Sequence, residues 1–212
     1  MSTLDEFFTF FQIPTDLEGW TIQVGLFFMF SVIGWCVESL YISWMNKKWT
    51  NRGFLHAPIC PIYGFAEFIG FRLLLLLPHN YIVIFVVGTV FATGVELLVA
   101  KFMIYKFGAV WWDYTNRPFN YKGILCLEST LAWGVYAVIE VWFLHDGLAW
   151  LSAQIPYVLR IVLFSLLGAY CIIDLIFVSI KAKKEGIQAE ANNMLVVERK
   201  PKESKKAKKG EE

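Results

Sequence analysis

IQVGLFFMFSVIGWCVESLYISWM, residues 22–45, is a long apolar run with a carboxylate, Glu38, inside it. A bilayer core takes about 20 apolar residues in helical form, and this run has that length. Within lipid a helix is enforced, because no water is present to satisfy open backbone groups. A carboxylate near the bilayer centre costs roughly 2.5–3.5 kcal/mol on insertion scales, so it needs a partner, a proton or water. The one stretch therefore gives a fold class, an all-α membrane protein, and a place to look for function.

Working outward, four further runs of the same kind lie near residues 59–77, 81–105, 124–144 and 155–180. The second is the shortest, with Pro58 and Pro61 at its start, where proline fits the first turn of a helix. Composition agrees: 57% of the chain is apolar and 17% aromatic, and 212 residues cannot wrap five such helices as a soluble core. The expected organisation is an interfacial segment over 1–19, a five-helix membrane domain over 20–180 and a cytoplasmic tail over 181–212.

Basic residues set the orientation. Lys47, Lys48 and Arg52 lie between the first two runs, and Lys101, Lys106, Arg117 and Lys122 flank the gap between the third and fourth. The tail is rich in lysine, whereas residues 1–21, 78–80 and 145–154 contain no Lys or Arg. The positive-inside rule then predicts five spans, with the amino terminus outside and the carboxyl terminus in the cytoplasm. The opening residues carry Asp5, Glu6, Asp16 and Glu18, the reverse of a signal peptide's basic start. Phe7, Phe8, Phe10 and Phe11 suit a segment lying on the outer interface. Trp20, Trp44, Trp49, Trp111, Trp112 and Trp150 fall near span ends, as an aromatic belt would. From Lys200 to Lys209 the tail has the composition of a disordered segment.

Six acids lie in the apolar runs, Glu38, Glu67, Glu96, Glu128, Glu140 and Asp174, against two basic residues, Arg72 and Arg160. Glu140 is expected to pair with Arg160, and Arg72 to snorkel outward. Small and polar residues share the acids' faces: Ser31, Gly34 and Tyr41 beside Glu38; Cys60, Gly64 and Gly70 beside Glu67; Thr89, Ala92, Thr93 and Ala100 beside Glu96. Such spacing lets helices approach closely, so the acids face other helices or water. Glu38, Glu67, Glu96, Asp174 and Glu128 are the candidate substrate- or ion-binding set, open to the cytoplasm. The bland alternative is that each acid only fixes packing through a Ser, Thr, Tyr or Trp.

Two loops complete the picture, NRGFLHAPICPIYG at 51–64 and WWDYTNRPFNYKGILCLESTLAWG at 111–134. Each contains Asn-Arg-X-Phe and reaches a cysteine nine or ten residues after that asparagine. Two tandem helical hairpins of like orientation, a pattern of some transporters, would account for this. Asn51, Arg52, Trp112, Asp113, Asn116, Arg117 and Asn120 form the candidate inner-loop or partner-contact set. Arg52 and Arg117 read as lipid-phosphate anchors or as caps on Asp113, Glu38 or Glu96. Trp111 and Trp112 suit the belt better than a stacked ligand. His56 has no companion at metal-ligand spacing, and Cys36, Cys60, Cys126 and Cys171 are scattered, so no metal, cofactor or disulfide is expected.

The two loop strings, with GWCVESLY at 34–41, resemble the hallmarks of the ABC-transporter type IV, or CmpB-like, family over about residues 20–145. The resemblance implies an integral protein of the bacterial inner membrane acting as a transporter permease, and carries over no catalytic residue. His56-Ala57 and Ile124 depart from the family pattern, where glycine and arginine are usual. The chain has no G-x-x-x-x-G-K-[ST], so as a permease it would need a separate ATP-binding subunit, with the 106–122 loop as its dock. Five spans make a thin wall for a pathway, which favours a homo-oligomer; lipid is the other partner, and nucleic acid is not one. A stand-alone proton- or cation-coupled carrier, a membrane enzyme using inner-face carboxylates and a structural subunit remain open. The enzyme reading lacks a nucleophile–base pair.

Overall fold

Residues 12–185 and 195–196 are described by a computed structural model. Among the described residues there are five helical segments in sequence: α1 (Leu17–Asn46), α2 (61–75), α3 (Tyr81–Phe107), α4 (Leu127–Gln154) and α5 (Tyr157–Glu185). Four of them, α1, α3, α4 and α5, are long and apolar enough to cross a membrane. The expected run at 59–77 gives a shorter helix, roughly 22 Å long against a bilayer core of about 30 Å. It is preceded by a non-helical segment whose Leu55, Ala57, Ile59 and Cys60 are buried. The phenylalanines of the expected interfacial segment and the Lys200–Lys209 run lie outside the described residues.

Local chemistry explains the helix ends. Asp16 accepts from the Gly19 amide at 3.1 Å to start α1, and Asn80 accepts from Ile82 and Val83 to start α3. Pro61 opens α2, and both α2 and α4 have a cysteine, Cys60 or Cys126, as N-cap. Gly108, at φ 76°, closes α3. The fourth run continues past its expected end: residues 145–154, read as a loop, are helical. Nothing in HDGLAWLSAQ breaks the helix until Pro156, which holds Ile155 extended at ψ 127°.

Both α2 and α4 contain a five-residue π segment, Glu67–Phe71 and Glu140–Leu144. α1 packs on α2, on the last part of α4 and on α5, while α3 packs along α4. The two packed pairs meet where Cys60, Tyr63, Ala92 and Trp133 form a common core, with the Tyr63 and Trp133 rings 5.1 Å apart. α5 is largely exposed along its length. Past its end, Leu195–Val196 pairs antiparallel with Ala109–Val110, Val110 opposite Leu195. The loops at 47–60 and 108–126 lie at one end of the bundle, called here the loop end; the turns at 78–80 and 155–156 lie at the far end.

Candidate functional site

At the loop end two carboxylates are held in similar ways. Glu38, on α1, accepts a hydrogen bond from the Tyr63 hydroxyl of α2 at 2.8 Å. Glu96, on α3, accepts from the Trp133 indole of α4 at 2.9 Å. In each case the aromatic donor is followed by a glycine set tightly against the partner helix. Gly64 lies on Phe27 and Ser31, and Gly134 on Phe85 and Thr89; a methyl group at either would overlap these atoms. Close approach of the backbones is what brings the donor within reach of the acid.

Arg52 caps Glu38. Its guanidinium lies 3.5 Å from Glu38 and donates to the Trp111 carbonyl at 2.7 Å, while its backbone amide donates to Ser39. Arg52 is 7% exposed, so it is a buried ion-pair partner and not a lipid-phosphate anchor. Tyr114, from the 108–126 loop, donates to Glu96 at 3.3 Å. Burial, with the Glu96 and Glu38 carboxylates adding to it, pushes the Tyr114 phenol well above its ordinary range, so it stays a donor. Two acids and one guanidinium leave the group formally one negative charge in excess.

The other candidate acids stand elsewhere. Glu128, in the first turn of α4, is exposed and accepts from Tyr41, with Arg117 at 3.3 Å and above the Tyr41 ring. Asp174, on α5, takes the His56 ring nitrogen at 2.7 Å and the Ala57 amide at 3.0 Å, which ties the 54–60 segment to α5. Most of the loop set serves the loops themselves. Asn51 accepts from Trp35 and Gly53; Asp113 accepts from Thr115; Asn120 bonds to Thr115, Arg117 and Gly123; Trp112 donates to Ile124. Asn116 is exposed in the same turn.

A second polar level lies toward the far end. Glu67 is fully buried, accepts from Gln23 through both oxygens at 3.1 and 2.9 Å, and has the His145 ring 3.4 Å away. Arg72 does not snorkel. It is 8% exposed, donates to Gln23 at 2.6 Å and to the Phe68 carbonyl, and lies over the Phe68 ring. Because guanidinium only donates, it fixes which end of the Gln23 amide faces Glu67. Glu140 and Arg160 do not pair either. Arg160 reaches Glu18 at 2.9 Å, since the start of α5 packs beside the start of α1, whereas Glu140 faces α2 one helix away. Two apolar recesses of about 290 and 220 Å³ lie between α1 and α5, apart from Glu38 and Glu96.

Sequence reasoning did not single out Tyr63, Trp133, Gln23 and His145. The aromatic-glycine pairs Tyr63-Gly64 and Trp133-Gly134, each closing a loop string, were the available signal for the first two. Gln23, a polar residue within the first apolar run, was the signal for the third.

No curated protein and no solved structure matches the chain. A family model does, over residues 25–179, which takes in the helices that carry both polar levels. Its description is "Putative ABC-transporter type IV", and the chain, a multi-pass membrane protein by its helices, belongs to that family.

Proposed function

We propose that the protein is the permease-like membrane subunit of a transporter in the bacterial inner membrane, and that Glu38 and Glu96 bind a cationic or polar solute from the cytoplasmic side. One observation carries this reading: Glu38, a third exposed, and buried Glu96 come from different helices to the loop end, where Arg52 pairs with Glu38 and a formal negative charge is left in excess. A cation offsets that charge, and displacement of Arg52 by a cationic solute would uncap Glu38. The loop end is the cytoplasmic end on this reading, as its Lys47, Lys48, Lys106 and Lys122 suggest. Residues 55–75, a buried segment followed by α2, then make the fifth crossing.

The paired features favour an internal duplication. Each half has an acid on its first helix, an Asn-Arg-X-Phe loop, a cysteine N-cap, an aromatic-glycine pair and a π segment that begins at a glutamate. An ATP-binding subunit would dock on the 106–122 loop, and the thin wall of five crossings favours a homo-oligomer.

The test is a tagged pull-down from native membranes in mild detergent, paired with Glu38→Gln and Glu96→Gln. The expected result is a stoichiometric ATP-binding subunit retained by all three proteins, with transport lost in both variants. Full activity in both variants would leave the acids a packing role. Recovery with no ATP-binding subunit under gentle extraction would move the reading to a stand-alone carrier.

A further inference from the structure

The polar groups of the second level do not balance. Around Glu140, α1 presents Gln23, α2 presents Glu67 and Arg72, α4 itself presents Tyr136 and His145, and α3 presents apolar Ile84 and Val87. Glu67 accepts from Gln23 through both oxygens, with the His145 ring 3.4 Å away, and Arg72 donates to Gln23 and Phe68 through its two terminal nitrogens; Arg72 Nε and His145 Nδ1 are buried without a hydrogen-bond partner among the described residues. Glu140 is 3% exposed, yet its Oε1 has no hydrogen-bond partner among the described residues. The Tyr136 hydroxyl, one turn earlier on the same face, is buried and unpartnered too. An ionised carboxylate without a partner costs far more to bury than a neutral carboxylic acid does. Among the described residues Glu140 has no ion pair: Arg72 donates to Gln23, and Arg160 pairs with Glu18.

A second observation points the same way. Glu67 and Glu140 each stand first in a π segment, and the two segments pack against each other. Such segments appear frequently at functional sites, because the extra residue in the turn re-aims the side chain that begins it. Here the first residue of each segment is an acid, and both acids are buried.

We propose that Glu140 is a proton-binding site, held as a neutral carboxylic acid and exchanging its proton toward the far end through Glu67 and His145. One proton moves and no electron does. The Glu140 O–H bond breaks as an O–H bond forms on the Glu67 carboxylate. That proton passes to Nδ1 of a neutral His145, and the resulting imidazolium releases its Nε2 proton toward the far end through the exposed edge of the ring. His145 is placed for this by its ring, stacked on Phe71 with 3.4 Å between centroids and 14% of its side chain exposed. The site is separate from Glu38 and Glu96 and does not rest on their solute role.

Infrared spectroscopy of the full-length protein in proteoliposomes tests this without any transported solute. A carbonyl stretch of a protonated carboxylic acid is expected at neutral pH in the wild type. It should be lost in Glu140→Gln, shifted in Glu140→Asp and retained in Glu38→Gln. In D₂O the band should shift as the proton exchanges, several-fold more slowly in His145→Phe, which keeps a ring against Phe71. No such band, or a band that survives Glu140→Gln, would overturn the site. A band that forms only after sodium is removed would do the same, by revealing a bound metal ion in place of the proton. Unchanged exchange in His145→Phe would overturn the route.

Discussion

Glu96 shows what a single buried acid requires. Trp133 and Tyr114 supply its two donors, from α4 and from a loop. Trp133→Phe keeps the ring and removes the N–H, and it is expected to cost about 1–3 kcal/mol, as for a buried acceptor left short of a donor. A lower Tm in detergent would register that loss; an unchanged Tm would mean the indole bond contributes nothing. Gly64→Ala and Gly134→Ala act on the same contacts by overpacking, at about 1–3 kcal/mol each. The two should destabilise to a similar degree if the halves are built alike, and a large effect at one site alone would argue against that likeness. The presence of acids inside apolar runs was legible from sequence, and so was the need for each to find a partner. Which partner was not. Choosing Glu18 over Glu140 for Arg160 depends on helix rotation and on the approach of helix ends distant in the chain, neither of which periodicity records.

At the scale of elements, the segment before α2 is non-helical, and Asp174 ties it to α5. Asp174 takes the Ala57 amide and the His56 ring, and nearby Leu55 and Ile59 bury their side chains. Asp174→Asn should weaken a charge-assisted pair of bonds by about 1.5–3 kcal/mol. Hydrogen exchange at residues 55–60 should rise while that of α3 stays as it was. Equal rates in variant and wild type would remove Asp174 from this role. Helix existence was legible from the apolar runs, and four of the five match helices of membrane-crossing length. The π segments were not legible, because one extra residue in a turn leaves no mark in composition. They matter here, since each begins at a buried glutamate, Glu67 or Glu140, and the two segments pack against each other.

For the whole molecule, the decisive question is whether residues 55–75 cross the bilayer. With the native cysteines removed, single cysteines at Lys47, His79 and Lys122 separate the possibilities by labelling with a membrane-impermeant thiol reagent. On the five-crossing reading Lys47 and Lys122 label from the cytoplasm and His79 only from outside. Labelling of His79 from the same side as Lys47, with Lys122 on the opposite side, would leave four crossings and make α2 a re-entrant element. The distribution of lysine supports five crossings, and a helix of roughly 22 Å needs the 55–60 segment to complete the span.

The loose seating of α5 has a consequence for how the protein is made. Most of that helix is exposed, and among the described residues its polar ties include Arg160 to Glu18 and Asp174 to the His56–Ala57 segment. Both receiving sites belong to stretches that leave the ribosome well before α5 does. Until α5 arrives, Glu18 lacks its arginine and the 54–60 segment lacks its clamp. The last helix thus acts as a latch on a bundle already inserted. A chain stalled before it would present an unfinished face to whatever inspects nascent membrane proteins.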